Sequence, residues 1–487
     1  MTLSNPTWDT LLNSERRKPS KSPKSGEDTR TEIERDYDRI LFSTPVRRLA
    51  DKTQVFPLDK NDSVRTRLTH SHEVSNLARS IGTALVFHDE IAKSTAESNR
   101  NIPAILAAIG LAHDLGNPPF GHQGESAIQS WFVDNRKKVL EPLEQNTQWV
   151  QDFIKFEGNA QGFRLLTRLQ LLNDDFGLDL TYSTLAALMK YPTSSNLIDK
   201  KVVAKKKHGF FASEEKIATE VLERTGLSLG KRHPLAYIME ACDDIAYVVL
   251  DIEDAVKKGL ASFSDLMSYL KHNSDGDRLI DYIVSESEEK NNKYRRDKGI
   301  ELSPAELNDI SMQRFRVFAI GELIKTARIT FVENKSIFIN GDSEKSLLEI
   351  SEGENLRKHL KEFARKNAYT HKEVLRVELQ GYNVIRGLMD IFWAAIVDRE
   401  KEKEVGSSRN NPFTRFVYSR ISENYRRVFE HPSEDMKDIP IRYRECQLLT
   451  DMISGMTDSY AVELFADLSS IKGAYDPMSN LRNDKTS

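Results

Sequence analysis

Along most of the chain the apolar positions recur three and four residues apart, the period of a helix that buries one face. Alternating runs of the kind that half-buried strands require are scarce. The pattern predicts an all-α protein with at most minor β elements. One segment, KSIFINGD over 335–342, reads as a short hairpin or extended piece. Residues 1–28 are rich in Ser, Pro, Lys and Arg and are expected to form a mobile tail, with order beginning near Arg30. Charge-dense stretches at 286–300 and 398–410 are expected as exposed loops or helix ends. The segment KKVVAKKKHGFF, 200–211, is a local basic patch beside two phenylalanines. It reads either as a solvated loop or as a phosphate or polynucleotide contact in a neighbouring subunit. No internal repeat is evident.

Composition narrows the class. The chain has 487 residues, 39% hydrophobic and 30% charged, with a net charge of -4. This describes a charge-rich globular protein with a sizeable core, and whole-molecule charge does not point to nucleic acid or to an anionic membrane. The two cysteines, Cys242 and Cys446, are too few for a disulfide scaffold or a Cys-rich zinc site, and they suit a reducing compartment. No run reaches the length of a membrane helix, and the N-terminus lacks the apolar stretch of a signal peptide. The cytoplasm is the expected location, with no membrane partner.

The chemistry starts from His-Asp dipeptides, of which there are two. His88-Asp89 sits where the sequence turns charged and polar, as a solvated helix end does. His113-Asp114 closes the apolar run IPAILAAIGLA and precedes LGNPP, which must stop the helix. His113 and Asp114 are therefore expected at the mouth of a buried helix, where a metal could sit. His70, in RTRLTHSHEV, and Asp243, in MEACDDIAYVVLDIEDAV, lie on two further predicted helices. Imidazole and carboxylate together suit a first-row divalent cation. On the third helix Asp243, Tyr247 and Asp251 are spaced by four and share one stripe. Ile238, Ala241, Ile245, Val248, Val249, Ile252 and Val256 form a separate apolar face. An amphipathic helix with a wet acidic face explains that spacing equally well when the helix is read alone.

The segments RTEIERDYDRILFS, RRLADKTQVFP, RTRLTHSHEV, HDLGNPPFGHQGE, FEGNAQGFRLL, MKYP, MEACDDIAY and ISGMTDSYA occur in one order from about residue 30 to 468. In this they resemble the bacterial dGTP triphosphohydrolases, a family of the HD superfamily. The resemblance implies a helical HD catalytic core over 29–275 and a helical C-terminal region, 276–487, packed on it. It implies four metal ligands, His70, His113, Asp114 and Asp243, with Asp244 the nearest competitor for the last place. The implied metal is Mn²⁺ or Mg²⁺, with Fe²⁺, Co²⁺ or Zn²⁺ as alternatives. His122 and Glu125 match residues that assist proton transfer. Arg67, Lys190 and Tyr191 match phosphate contacts, and Asn159 a position near metal and phosphates. Tyr247, Asp251 and Gln54 match contacts to the sugar or base. His72 departs from the pattern; it is expected to face solvent, or else to stand behind the ligands.

The activity implied is hydrolysis of dGTP to deoxyguanosine and triphosphate, through metal-activated attack of water at the α-phosphorus. A broader dNTPase, another HD phosphohydrolase, or a nucleotide-regulated nucleic-acid-binding protein are the competing readings. The family also implies a homo-oligomer, often a hexamer. Single-stranded DNA is a candidate partner for the basic patch.

Overall fold

The computed structural model describes residues 6–18, 29–58, 61, 63–92, 97–145, 147–170, 176–298 and 301–483. The regular elements of these residues are all helices, and among them there is no strand. Isolated bridges join Arg16 to Thr181, Thr53 to Thr66 and Arg399 to Arg409. We number ten of the longer helices: α1 Glu32–Leu41, α2 Arg67–Phe87, α3 Ser98–Ala112, α4 Gly121–Asp134, α5 Pro234–Lys257, α6 Arg278–Lys298, α7 Pro304–Glu333, α8 Lys372–Val397, α9 Ile441–Ser454 and α10 Asp458–Asn483. No described helix is long and apolar enough to cross a membrane.

Local sequence sets several helix starts. Thr31 and Glu34 form a reciprocal capping box at α1, and Ser303 and Glu306 form one at α7. Pro234 and Pro304 occupy first-turn positions where a missing N–H costs nothing. α3 stops at Ala112 with His113 as its cap, as the LGNPP signal requires.

α5 lies at the centre of one group of packed helices. It packs on α2, α3 and α7, and its apolar face is buried from Ile238 to Val256. The half-buried positions in its middle are Asp243, Asp244 and Tyr247. α2 lies along α3, and Gly110 lets the backbones approach, since a Cβ there would meet the Ser75 backbone. One cluster of buried apolar residues extends from Trp8 to Leu468, so helices from both ends of the chain share a core.

Three expectations change here. Within the expected tail, residues 6–18 are packed: Trp8 and Leu11 are buried, and Arg16 bonds Glu32 and Asp36 of α1. Two apolar residues three apart and one arginine with two carboxylate partners outweigh the polar composition around them. The rest of that call, 1–5 and 19–28, lies outside the described residues. The segment KSIFINGD is a short helix, Lys335–Ile339, rather than extended. Phe338 stacks on Phe331 of α7 and lies against Tyr237 of α5, and this packing overrides the β preference of its isoleucines. The basic patch at 200–211 divides: Lys200, Lys201 and Lys206 are exposed, whereas His208, Phe210 and Phe211 are fully buried, so the segment is not a wholly solvated loop. The other two charge-dense stretches conform: 286–298 is the outer end of α6, and 398–410 is a loop after α8.

Candidate active site

The site forms where α2, the end of α3 and the middle of α5 meet. One nitrogen of His70, one of His113 and one carboxylate oxygen of Asp243 all lie within 4.8 Å of one another. His70 Nε2 is 3.2 Å and His113 Nε2 3.4 Å from Asp243 Oδ1. His113 Nδ1 is 2.7 Å from the Gly110 carbonyl, so Nδ1–H donates there and the Nε2 lone pair faces the cluster. That Nε2 is buried and has no hydrogen-bond partner. A buried orphan nitrogen beside a carboxylate and a second imidazole is what a divalent cation would satisfy.

The electrostatics agree. Burial pulls the His113 imidazolium down, but the carboxylates of Asp114 and Asp243 outweigh it and lift the group to about 9. Burial disfavours the Asp243 carboxylate, yet His113, His70 and Lys190 hold it well below the usual range. The pocket therefore attracts positive charge at a fixed point, and a metal ion would take the place of the proton.

Asp114 stands at the edge of this group. Its Oδ1 is 3.6 Å from His113 Nε2 and accepts from Asn117 Nδ2 at 2.6 Å. Its Oδ2 accepts from Arg67 Nη1 at 2.7 Å. Arg67 is buried, its Nε has no partner, and Gly121 makes room for it, since a Cβ there would overlap Nη2. Asp243, not Asp244, lies beside both histidines. Asp244 turns toward Arg357, 3.7 Å away, and burial lifts its carboxyl to about 6. His72 is exposed on the far side of α2. His88 is also exposed, and Asp89 is held by Arg328 at 2.6 Å, so that His-Asp pair has only a surface role.

α4 opens just after the loop that carries Asp114. His122 Nδ1 lies 3.0 Å from Glu125 Oε2, with the imidazole largely in solvent and the carboxylate buried. Glu125 Oε1 accepts from the Gly158 amide at 2.8 Å. Burial opposes the charge on Glu125, but His122 and Lys207 hold its carboxyl below the ordinary range. A Cβ at Gly158 would crowd the side-chain oxygens of Asn117 and Glu125.

Lys190 Nζ sits 3.5 Å from Asp243 Oδ2 and 3.6 Å from Glu240 Oε1, over the Tyr191 ring at 5.9 Å. Asn159 Nδ2 donates to Glu157 Oε1 at 2.7 Å, and Lys207 Nζ approaches the same carboxylate at 2.8 Å. In the sequence Lys207 stands out only as part of the 200–211 basic patch and Glu157 only as part of FEGNAQGFRLL; nothing in either segment signals that they meet beside Asn159.

Two turns along α5 from Asp243, Asp251 accepts from the hydroxyl of Tyr369 at 2.6 Å. Tyr247 stacks on Tyr369 with centroids 5.7 Å apart. Tyr369 ends a wide turn, Arg365–Tyr369, and no spacing rule connects it to a helix 118 residues earlier. Gln54 has its Oε1 buried without a partner.

No family model matches the sequence. Whole-length relatives do. A deoxyguanosinetriphosphate triphosphohydrolase-like protein of Listeria monocytogenes is 36% identical over 476 residues, covering 95% of this chain and 99% of the relative. A probable deoxyguanosinetriphosphate triphosphohydrolase of Pseudomonas aeruginosa is 33% identical, covering 90% and 93%. A deoxyguanosinetriphosphate triphosphohydrolase of Yersinia pseudotuberculosis is 32% identical, covering 93% and 97%.

Proposed function

This chain belongs to the deoxyguanosinetriphosphate triphosphohydrolase family, and from that membership we propose that it hydrolyses dGTP to deoxyguanosine and inorganic triphosphate. At the coarser level it is an HD-type, metal-dependent phosphohydrolase acting on deoxynucleoside triphosphates. The observation that carries the reading is the convergence of His70, His113 and Asp243 from three helices around an unpartnered nitrogen.

A divalent cation at that point, Mn²⁺ or Mg²⁺ in our reading, would neutralise phosphate charge and make water a better nucleophile near neutral pH. Asp114, at the edge of the group and bonded to Arg67 and Asn117, is the fourth ligand in this reading. The protein's own groups do the rest. Water attacks the α-phosphorus, and the bond to the 5′ oxygen breaks. Lys190 and Arg67 bring cationic charge to the phosphates as negative charge builds there. Asn159, Lys207 and Tyr191 line the same side. In its imidazolium form His122 donates Nδ1–H to Glu125 in a hydrogen bond and gives its Nε2 proton to the departing 5′ oxygen, which leaves a neutral imidazole, while the proton of the attacking water passes to solvent. At the other end, Asp251 meets the 3′-hydroxyl while Tyr247 packs on the deoxyribose and leaves no room for a 2′-hydroxyl. Gln54 lies nearest the sugar and base.

The test is product identity. Purified protein is incubated with each of the four dNTPs and with GTP, in Mn²⁺ or Mg²⁺. Deoxyguanosine and tripolyphosphate from dGTP are the expected products. Release of orthophosphate or pyrophosphate instead rejects the reaction.

A further inference from the structure

Two of the segments met in the sequence, DKTQVFP and ISGMTDSYA, contribute buried charges that the reaction above does not use. Asp458 opens α10 and is 1% exposed. Its Oδ2 accepts from the amide of Thr53 and its Oδ1 from the amide of Phe120, each at 3.0 Å. Lys52 is 3% exposed. Its ammonium donates to the carbonyls of Asn117 at 2.6 Å and Ser454 at 2.7 Å. The Lys52 carbonyl accepts from the Arg67 amide at 2.8 Å. Both charges are thus satisfied by backbone groups of other segments, where an apolar pair would avoid the desolvation cost.

What they hold is the catalytic loop. Asn117, gripped through its carbonyl by Lys52, donates from its side chain to Asp114. Phe120 has φ 61° and ψ 18°, a left-handed conformation that a bulky L-residue seldom adopts. Such a conformation persists only where its surroundings enforce it. Asp458 holds the amide of that residue, and Gly381 of α8 makes room for its ring, since a Cβ there would overlap it. His122 follows two residues later. On the other side, Thr53 leads directly into Gln54.

We propose that Asp458 and Lys52 are positioning residues: a clasp, one half at the start of α10 and the other in the segment before α2, that sets the 113–120 loop so that Asp114 and His122 keep their spacing during turnover. Neither group touches the reacting atoms. Asp458 acts through Phe120, and Lys52 through Asn117. The kinetic part of the proposal rests on the triphosphohydrolase reading; the positional part does not.

The test uses the full chain and D458N, which keeps the size of the side chain but turns an NH₂ group toward one of the two amide donors. Hydrogen exchange followed by mass spectrometry should show the 113–124 backbone exchanging about tenfold faster or more. Exchange over 215–224, remote from the clasp, should stay as in wild type. With dGTP and Mn²⁺, kcat should fall about tenfold or more while KM changes little, because the lost alignment matters in the transition state. A residue that only stabilised the fold would lower the folded fraction and leave the kcat of folded molecules unchanged. S459A, which removes the neighbouring bond to Asp51 at 2.8 Å, should leave both readouts at wild-type values. K52M carries the same prediction through Asn117 and decides the matter should D458N not fold. Wild-type exchange at 113–124 or wild-type kcat in the folded variant overturns the clasp. If wild-type protein yields no tripolyphosphate from any dNTP, the functional reading falls, and the exchange comparison alone decides the clasp.

Discussion

Asp243 and Asp251 sit two turns apart on one stripe of α5, yet their surroundings make them opposite reagents. Asp243 faces His70, His113 and Lys190, and these partners hold its carboxyl well below the usual range. Asp251 is 1% exposed. Burial pushes its carboxyl well above that range, against the hydrogen bond from Tyr369. One end of the stripe is therefore a fixed anion ready for a cation. At the other, burial works against the charge and a tyrosine hydroxyl already bonds the carboxyl. Residue type and spacing are the same; the neighbours supplied by α2, α3 and the Arg365–Tyr369 turn decide the chemistry.

The comparison can be broken most forcefully at the anionic end. D243A should abolish divalent metal binding measured by calorimetry and reduce dGTP turnover by about a thousandfold or more. Tight metal binding in that variant would remove Asp243 from the site. H122A should keep the metal and lose turnover by about a hundredfold or more, which separates proton transfer from metal binding. The isosteric pair sharpens the contrast without any metal present. D243N leaves two imidazoles and Lys190 without their carboxylate and should destabilise the metal-free protein by about 3 kcal/mol in urea unfolding. D251N removes a carboxyl whose charge burial already disfavours and should cost less than about 1 kcal/mol, with kcat/KM for dGTP down about tenfold. Equal costs for the two would mean that their surroundings act on both carboxyls alike.

A smaller effect concerns the N-terminal segment. His233 is fully buried, with Nε2 3.1 Å from the Leu11 carbonyl, and burial lowers it to about 4 from 6.5. Between those values the unfolded chain binds a proton that the folded chain refuses. This contribution is thus complete above about 6.5 and is lost as pH falls toward 4, by up to about 3 kcal/mol. H233Q should show a flatter fall in stability than wild type across that window; parallel curves would exclude His233 as the source.

The helical class and the metal cluster were legible because their signals are local or carried by dense motifs. Apolar residues at helical spacing gave the faces of α5, and the stop after LAHD placed His113 at a helix end. The family's spacing of Tyr247 and Asp251 favours Asp243 over Asp244, and the distances to His70 and His113 agree. Tyr369 was not legible, because its meeting with Asp251 depends on how α8 and the preceding turn pack. Lys207 looked like one of several solvated lysines until the burial of His208 and Phe210 turned its neighbourhood inward. Trp8 and Leu11 were hidden by the polar residues around them: composition averages over a window, whereas two side chains suffice to dock a turn. Asp458 belonged to a motif whose order in the chain was evident and whose partners, Thr53 and Phe120, were not.

The central claim is a metal-dependent attack of water at the α-phosphorus by the cluster of His70, His113 and Asp243. Hydrolysis of dGTP in ¹⁸O-labelled water, with the products resolved by mass spectrometry, tests it most directly. The account predicts one heavy oxygen in tripolyphosphate and none in deoxyguanosine. Label in orthophosphate or in the nucleoside would contradict it.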